Sequence, residues 1–319
     1  MSGISGPRIR WHARRPDRSK KRDGHDKRDQ WALGSRNDGI RSGRIDRPCG
    51  TGATRAAAAR RGMRRSRAVR QLRGGSFVLE RLAAAEAVLR AGIAPDALAM
   101  GTGCPAIADT VALTKGMLGL GITRSLLLPP YYFAGVSPEG IEDAFAAVLD
   151  AVADPRLSVC LYHIPQVCGV PVPPAVLGRL RVRYGAVVTG VKDSSGDFSA
   201  FLAFRSAAPD VAALVGDERL IVRALAAGGQ GTICGMANLV PKLLRRLLQD
   251  ATAQGAIEQA CAAIDGIPLL KATQAAMTGE PIWRNVRPPL RARDAEAGAH
   301  AAAILDAVQS AGDGRGLIR

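Results

Sequence analysis

The chain has 319 residues, 47% of them hydrophobic, and a formal net charge of +16 at pH 7. That length suits one α/β domain of barrel size. No apolar stretch approaches the roughly 18 residues of a membrane helix, and the Arg-rich N-terminus lacks the apolar centre of a secretory signal. The charge is confined: residues 1–75 hold 22 Lys/Arg and 6 Asp/Glu, while the remaining 22 basic and 22 acidic residues cancel. The basic segment has almost no interleaved aromatics, which excludes specific nucleic-acid readout and leaves only nonspecific phosphate attraction.

Residues 1–75 show neither helical nor strand periodicity. Stretches such as Arg18-Ser19-Lys20-Lys21-Arg22 and Arg60-Arg61-Gly62-Met63-Arg64-Arg65 predict a disordered or mistranslated segment. Order is predicted from about Ser76, where Leu79, Leu82, Ala83, Ala85, Val88 and Leu89 recur at helical spacing up to Gly92. Apolar strand-like runs follow at 98–101, 125–128, 158–164, 188–191, 212–215 and 231–234. Amphipathic stretches separate or follow them at 106–119, 138–152, 173–183, 198–207, 219–227 and 241–251. Runs apolar on both faces, alternating with helices, predict a parallel sheet covered by helices. So many consecutive units favour a (βα)₈ TIM barrel over a doubly wound sheet, although a closed barrel needs eight and the sequence supplies six. The reading is a partial barrel over 76–252 and a strandless helical extension over 253–319.

The six cysteines (Cys49, Cys104, Cys160, Cys168, Cys234, Cys261) form no CxxC pair and have no histidine at zinc spacing. They read as small buried hydrophobes of a cytoplasmic protein. The four histidines form no HExxH, and Gly229-Gln230-Gly231 lacks dinucleotide-fingerprint spacing. No metal and no cofactor is expected.

Barrel enzymes place their chemistry at the C-terminal ends of the strands. Lys192 ends an apolar run there, where burying an ammonium is expensive and a neutral amine can attack a carbonyl carbon. A lysine paired with Asp193 at the barrel rim is the alternative. Tyr162 and Tyr132 fall at or just after the ends of two other strands, and phenol hydroxyls beside a reactive lysine can pass protons.

These pieces resemble the dihydrodipicolinate synthase / N-acetylneuraminate lyase family of pyruvate-dependent class I aldolases. The likeness rests on Gly101-Thr102-Gly103, Pro130-Tyr131-Tyr132, Tyr162-His163-Ile164-Pro165 and Gly190-Val191-Lys192-Asp193-Ser194-Ser195-Gly196-Asp197. It continues through Gly216-Asp217-Glu218, Gly228-Gly229-Gln230-Gly231-Thr232-Ile233 and Arg287-Pro288-Pro289-Leu290. The resemblance implies a Schiff base between Lys192 and pyruvate and a proton relay through Tyr162. It also implies a second tyrosine, Tyr132, acting in a neighbouring subunit's site within a homotetramer. Gly216 and Ile233 would line the pyruvate pocket, and His163, where Asn is common, is counted with the substrate-binding residues, either as a hydrogen bonder behind the pocket or as a mere variant. Val167 stands where the synthase proper has an Arg that grips the carboxylate of aspartate semialdehyde. The implied partner of pyruvate is therefore an aldehyde of the 2-keto-3-deoxy sugar acid type.

The family also implies two strands before Glu80, the second ending in Gly-Thr-Thr-Gly-Glu. Nothing in 1–75 matches; the nearest string, Cys49-Gly50-Thr51-Gly52-Ala53-Thr54, has no glutamate and follows no strand. Three readings stay open: a shifted reading frame upstream of Ser76, a basic tail before a six-unit barrel of little or no aldolase activity, and a non-catalytic oligomer partner. On each, residues 1–75 are expected to lie outside the barrel.

Overall fold

In the sequence, apolar residues occupy both parities of the strand runs, so each strand must be covered on both sides. The computed structural model describes residues 69–70 and 78–312 and shows how this is done. The strands are β1 (Val69–Arg70), β2 (Ala99–Gly101), β3 (Arg124–Leu127), β4 (Ser158–His163), β5 (Val188–Asp193), β6 (Ala212–Val215) and β7 (Gly231–Thr232). They form one parallel sheet in chain order, β1 to β7. Helices lie between and after them: α1 (Val78–Arg90), α2 (Ile107–Gly119), α3 (Pro138–Val152), the single turn α4 (Pro165–Cys168), α5 (Pro174–Tyr184), α6 (Phe198–Ala207), α7 (Ile221–Ala226) and α8 (Pro241–Leu247). This is the expected TIM-barrel arrangement, with seven strands among the described residues.

The seventh strand is a correction. Val69–Arg70 lies inside the segment expected to fall outside the barrel, yet it pairs in parallel with β2 through Val69↔Ala99 and Arg70↔Met100. Two residues carry no periodicity, so pairing with the free edge of β2, and not a hydrophobic pattern, defines this strand. The remaining expectations for 1–75 fall on 1–68 and 71–75, outside the described residues.

The two faces of the sheet are filled differently. Ala99, Leu126, Cys160, Tyr162, Ile164, Ala212 and Leu214 meet in an inner cluster. The alternate positions, such as Met100, Leu127, Val159, Leu161, Val191, Ala213 and Val215, pack outward against the helices. Strand period two sorts the side chains in this way. Leu161, fully buried beside the helices, illustrates the energetics: truncation to Ala at such a site costs about 2–5 kcal/mol.

Local capping fixes where the helices start. Ser137 accepts from the Gly140 N–H at 3.2 Å with Pro138 in the first turn of α3. Asp197 accepts from the Ser199 N–H at 2.8 Å at the start of α6. Among the described residues only helices follow β7, including α9 (Gln254–Ala262), α10 (Gly266–Thr278) and α11 (Ala295–Gly312). α11 approaches α10 so closely that a Cβ on Gly298 would lie 2.5 Å from the Ala272 carbonyl oxygen. An Arg287–Glu80 ion pair of 2.8 Å ties the segment after α10 back to α1.

Candidate active site

The site begins with the register of β4 and β5. Tyr162 and Lys192 are direct neighbours in that pairing, and both point into the barrel, where Tyr162 is 2% and Lys192 5% exposed. The Lys192 Nζ donates to the Tyr162 hydroxyl at 3.0 Å and sits 4.1 Å from the centre of its ring. An amine and a phenol are thereby held together at the C-terminal mouth of the barrel.

The alternative partner, Asp193, takes the opposite parity. Its Oδ1 accepts from the Ser195 N–H at 2.9 Å, and among the described residues no ion pair joins it to Lys192. Burial raises the Asp193 carboxyl above its ordinary range, and the Ser195 hydrogen bonds oppose that shift.

Gly216 follows β6 and abuts the lysine. A Cβ there would lie 1.8 Å from Ser194 Oγ, 2.8 Å from Ser194 Cβ and 3.1 Å from Lys192 Cε. Its N–H donates to the Asp193 carbonyl at 2.6 Å, so the backbone of β6 is drawn against the end of β5. Glycine is needed here for close approach, since its φ is not in the left-handed region. Ile233, just past β7, donates its N–H to Val215 O at 3.2 Å and packs on the inner cluster. Lys192, Tyr162, Gly216 and Ile233 thus share the inner mouth of the barrel.

Two expected residues stand elsewhere. His163, counted among the substrate-binding groups, alternates with Tyr162 and faces the helices. Its ring meets Phe204 of α6 edge-on at 5.2 Å, and its Nδ1 accepts from the Val172 N–H at 3.0 Å. It stands on the outward face of β4, as strand alternation requires, and forms a hydrogen bond behind the site instead of facing into it. Burial lowers its pKa, opposed by the charges of Asp193 and Asp197. Tyr132, in the loop after β3, is 77% exposed and stacks edge-on with the exposed Phe133 at 5.6 Å.

Sequence reasoning gave Ser194 no role, although its Oγ and Cβ fill the space that Gly216 leaves. It also missed a small cluster at the mouth. There Arg81 of α1 donates to Gly103 O at 2.9 Å and to Cys104 Sγ at 3.7 Å. Burial raises the Tyr131 hydroxyl, and the positive charge of the same Arg81 opposes that shift.

A parallel α/β barrel with a buried amine–phenol pair at its C-terminal mouth defines the class. Residues 88–300 match the family model described as the dihydrodipicolinate synthetase family, and the chain belongs to that family. An uncharacterized DapA-like lyase of Chloroflexus aurantiacus is 41% identical over 156 residues, 49% of this chain and 51% of that protein. A 4-hydroxy-tetrahydrodipicolinate synthase of Geobacter sp. is 35% identical over 163 residues, 50% of this chain and 53% of that protein. The chain thus spans about half the length of the curated relatives it matches. The crystal structure of dihydrodipicolinate synthase from Agrobacterium tumefaciens superposes with a TM-score of 0.67 at 33% identity, covering 73% of this chain and 82% of that one.

Proposed function

We propose that the chain is a class I aldolase in which Lys192 forms a Schiff base with pyruvate and joins it to, or releases it from, an aldehyde of the 2-keto-3-deoxy sugar acid type. The observation that carries this reading is the 3.0 Å hydrogen bond between the buried Lys192 Nζ and the Tyr162 hydroxyl. The Lys192 amine attacks the keto carbon of pyruvate, and the Tyr162 hydroxyl passes a proton to the keto oxygen so that it leaves as water. The Tyr162 phenolate left by that step takes a methyl proton from the resulting iminium, which gives an enamine and restores the hydroxyl. Its terminal carbon bonds to the aldehyde carbon, the aldehyde oxygen takes up a proton through Tyr162, and water then frees the product and Lys192. Gly216 leaves room for the lysine arm, and Ile233 supplies an apolar wall. Tyr132 completes the relay from a neighbouring subunit of a homotetramer; its exposure outside its own site supports that role. A cytoplasmic setting is supported by the five unpaired cysteines among the described residues. Without a Gly-Thr-Thr-Gly-Glu turn to hold the pyruvate carboxylate, turnover is reduced by about 10²–10³, the usual effect of losing preorganised donors.

The acceptor preference follows from Val167, which is 55% exposed just beyond β4. An apolar side chain there provides no charge-assisted clamp for a second carboxylate. The discriminating assay supplies pyruvate with either a polyhydroxy aldehyde or aspartate semialdehyde and follows carbon–carbon bond formation. The hydroxyaldehyde should be favoured by at least about tenfold in kcat/KM. A preference for aspartate semialdehyde would refute this assignment and favour the activity named for the Geobacter relative.

A further inference from the structure

The segment 165–172 leaves β4, turns once as α4 beside the end of β5 and runs on to Val172 in the outer core. It carries Val167, and its conformation is fixed at two points. Near its start, Gln166 Nε2 donates to Ser194 O at 2.5 Å, the residue that nests against Gly216. At its end, the Val172 N–H donates to His163 Nδ1 at 3.0 Å. Within the segment, Gly169 takes φ +71° and the Cys168 thiol donates to Val170 O at 3.1 Å. Val170 and Val172 are both buried, at 2% and 0% exposure. The Val172 N–H is therefore out of water and needs an acceptor from the protein.

We propose that His163 is a positioning residue for the acceptor aldehyde: by accepting from the Val172 N–H it fixes the 165–172 segment, and with it Val167, against Ser194 at the edge of the Schiff-base site. This rests on the functional reading above. A lysine or an arginine could not take this role, because neither has an acceptor. Imidazole serves only with Nδ1 unprotonated, which assigns the proton to Nε2. The Phe204 ring holds the imidazole plane from α6, and the burial that disfavours the imidazolium keeps that acceptor available. The charged groups facing the ring are Asp193 on β5 and Asp197 at the start of α6. The His163 side chain projects from the face of β4 opposite to Tyr162, away from Lys192. Its influence on the reaction passes through the loop.

The test compares the full-length chain with His163→Asn, whose Oδ1 can accept the same N–H, and His163→Leu, which has no acceptor. Three quantities are read: borohydride trapping of pyruvate on Lys192, KM for the aldehyde, and amide exchange of the 165–172 peptide. His163→Leu should raise the aldehyde KM about tenfold and speed exchange in that peptide, the effect expected for losing one buried hydrogen bond. Pyruvate trapping should stay within about twofold of wild type in all three proteins, and His163→Asn should recover both loop protection and KM. An unchanged KM in His163→Leu, or a His163→Asn as impaired as His163→Leu, overturns the proposal while leaving the Schiff-base reading intact. Failure of the wild type to trap pyruvate overturns that reading and this proposal with it. If His163→Leu does not fold, His163→Asn alone decides: its exchange and KM must match wild type.

Discussion

Gly216→Ala is the sharpest perturbation available at the site. The added Cβ would meet Ser194 Oγ at 1.8 Å, Ser194 Cβ at 2.8 Å and Lys192 Cε at 3.1 Å, whereas relaxed carbon contacts lie at about 3.5–4.0 Å. Ser194 Oγ is the free end of a side chain and can rotate away. Ser194 Cβ cannot, because the Ser194 N–H is bound to His163 O at 2.8 Å and the Gly216 N–H to Asp193 O at 2.6 Å. The strand ends must therefore separate by roughly 0.5–1 Å, or the Lys192 arm must swing off Tyr162. Overpacking of this kind costs about 1–3 kcal/mol of stability. Displacing a reacting group by about 1 Å costs on the order of 10² in rate. The assay is the rate of borohydride-trapped pyruvate adduct, read beside a thermal melt to show that the protein is folded. Ser194→Gly combined with Gly216→Ala removes both serine contacts and should recover part of the loss. A folded Gly216→Ala protein that traps pyruvate at the wild-type rate would refute the claim that Gly216 exists to leave room for Lys192.

Two further outcomes are expected. Mixing Lys192→Ala with Tyr132→Phe subunits should restore activity that neither has alone, because Tyr132 acts across the subunit boundary; verified mixed oligomers with no recovery would place the relay within one chain. For pH, burial holds the folded His163 below its ordinary value of 6.5, so the unfolded chain binds the extra proton first and stability falls as pH drops from about 6.5 through the folded value. Asp193, shifted upward, has the opposite sign: its contribution is lost as pH rises from about 3.8 through its folded value. His163 is one of the groups that hold Asp193 down, so His163→Asn leaves that carboxyl further raised, and both effects make wild type lose more melting temperature between pH 7 and 5 than His163→Asn. Equal losses would show that His163 does not titrate as described.

The strands carrying the site were legible because their residues are apolar on both parities, which only a covered parallel sheet accommodates. The predicted run 212–215 coincides with β6, 98–101 begins one residue before β2, and 125–128 is shifted by one residue along β3. The pairing of Lys192 with Tyr162 was legible as two strand-end residues of compatible chemistry, but their direct register was not, since register depends on the packing of the whole sheet. The direction of His163 was available in principle. A residue next to an inward Tyr162 on a regular strand must face outward. The close approach of Gly216 to Ser194 joins two loop ends distant in sequence and leaves no local signal. Val69–Arg70 is likewise silent, being a two-residue strand that exists through β2.

The central claim is that Lys192 is the Schiff-base residue. Incubating the full-length chain with pyruvate and borohydride, then mapping the modified peptide by mass spectrometry, tests it most directly. The account predicts a reduced pyruvate adduct on Lys192, lost in Lys192→Ala and slowed in Tyr162→Phe. An adduct on any other lysine, or a folded protein that forms none, would contradict it.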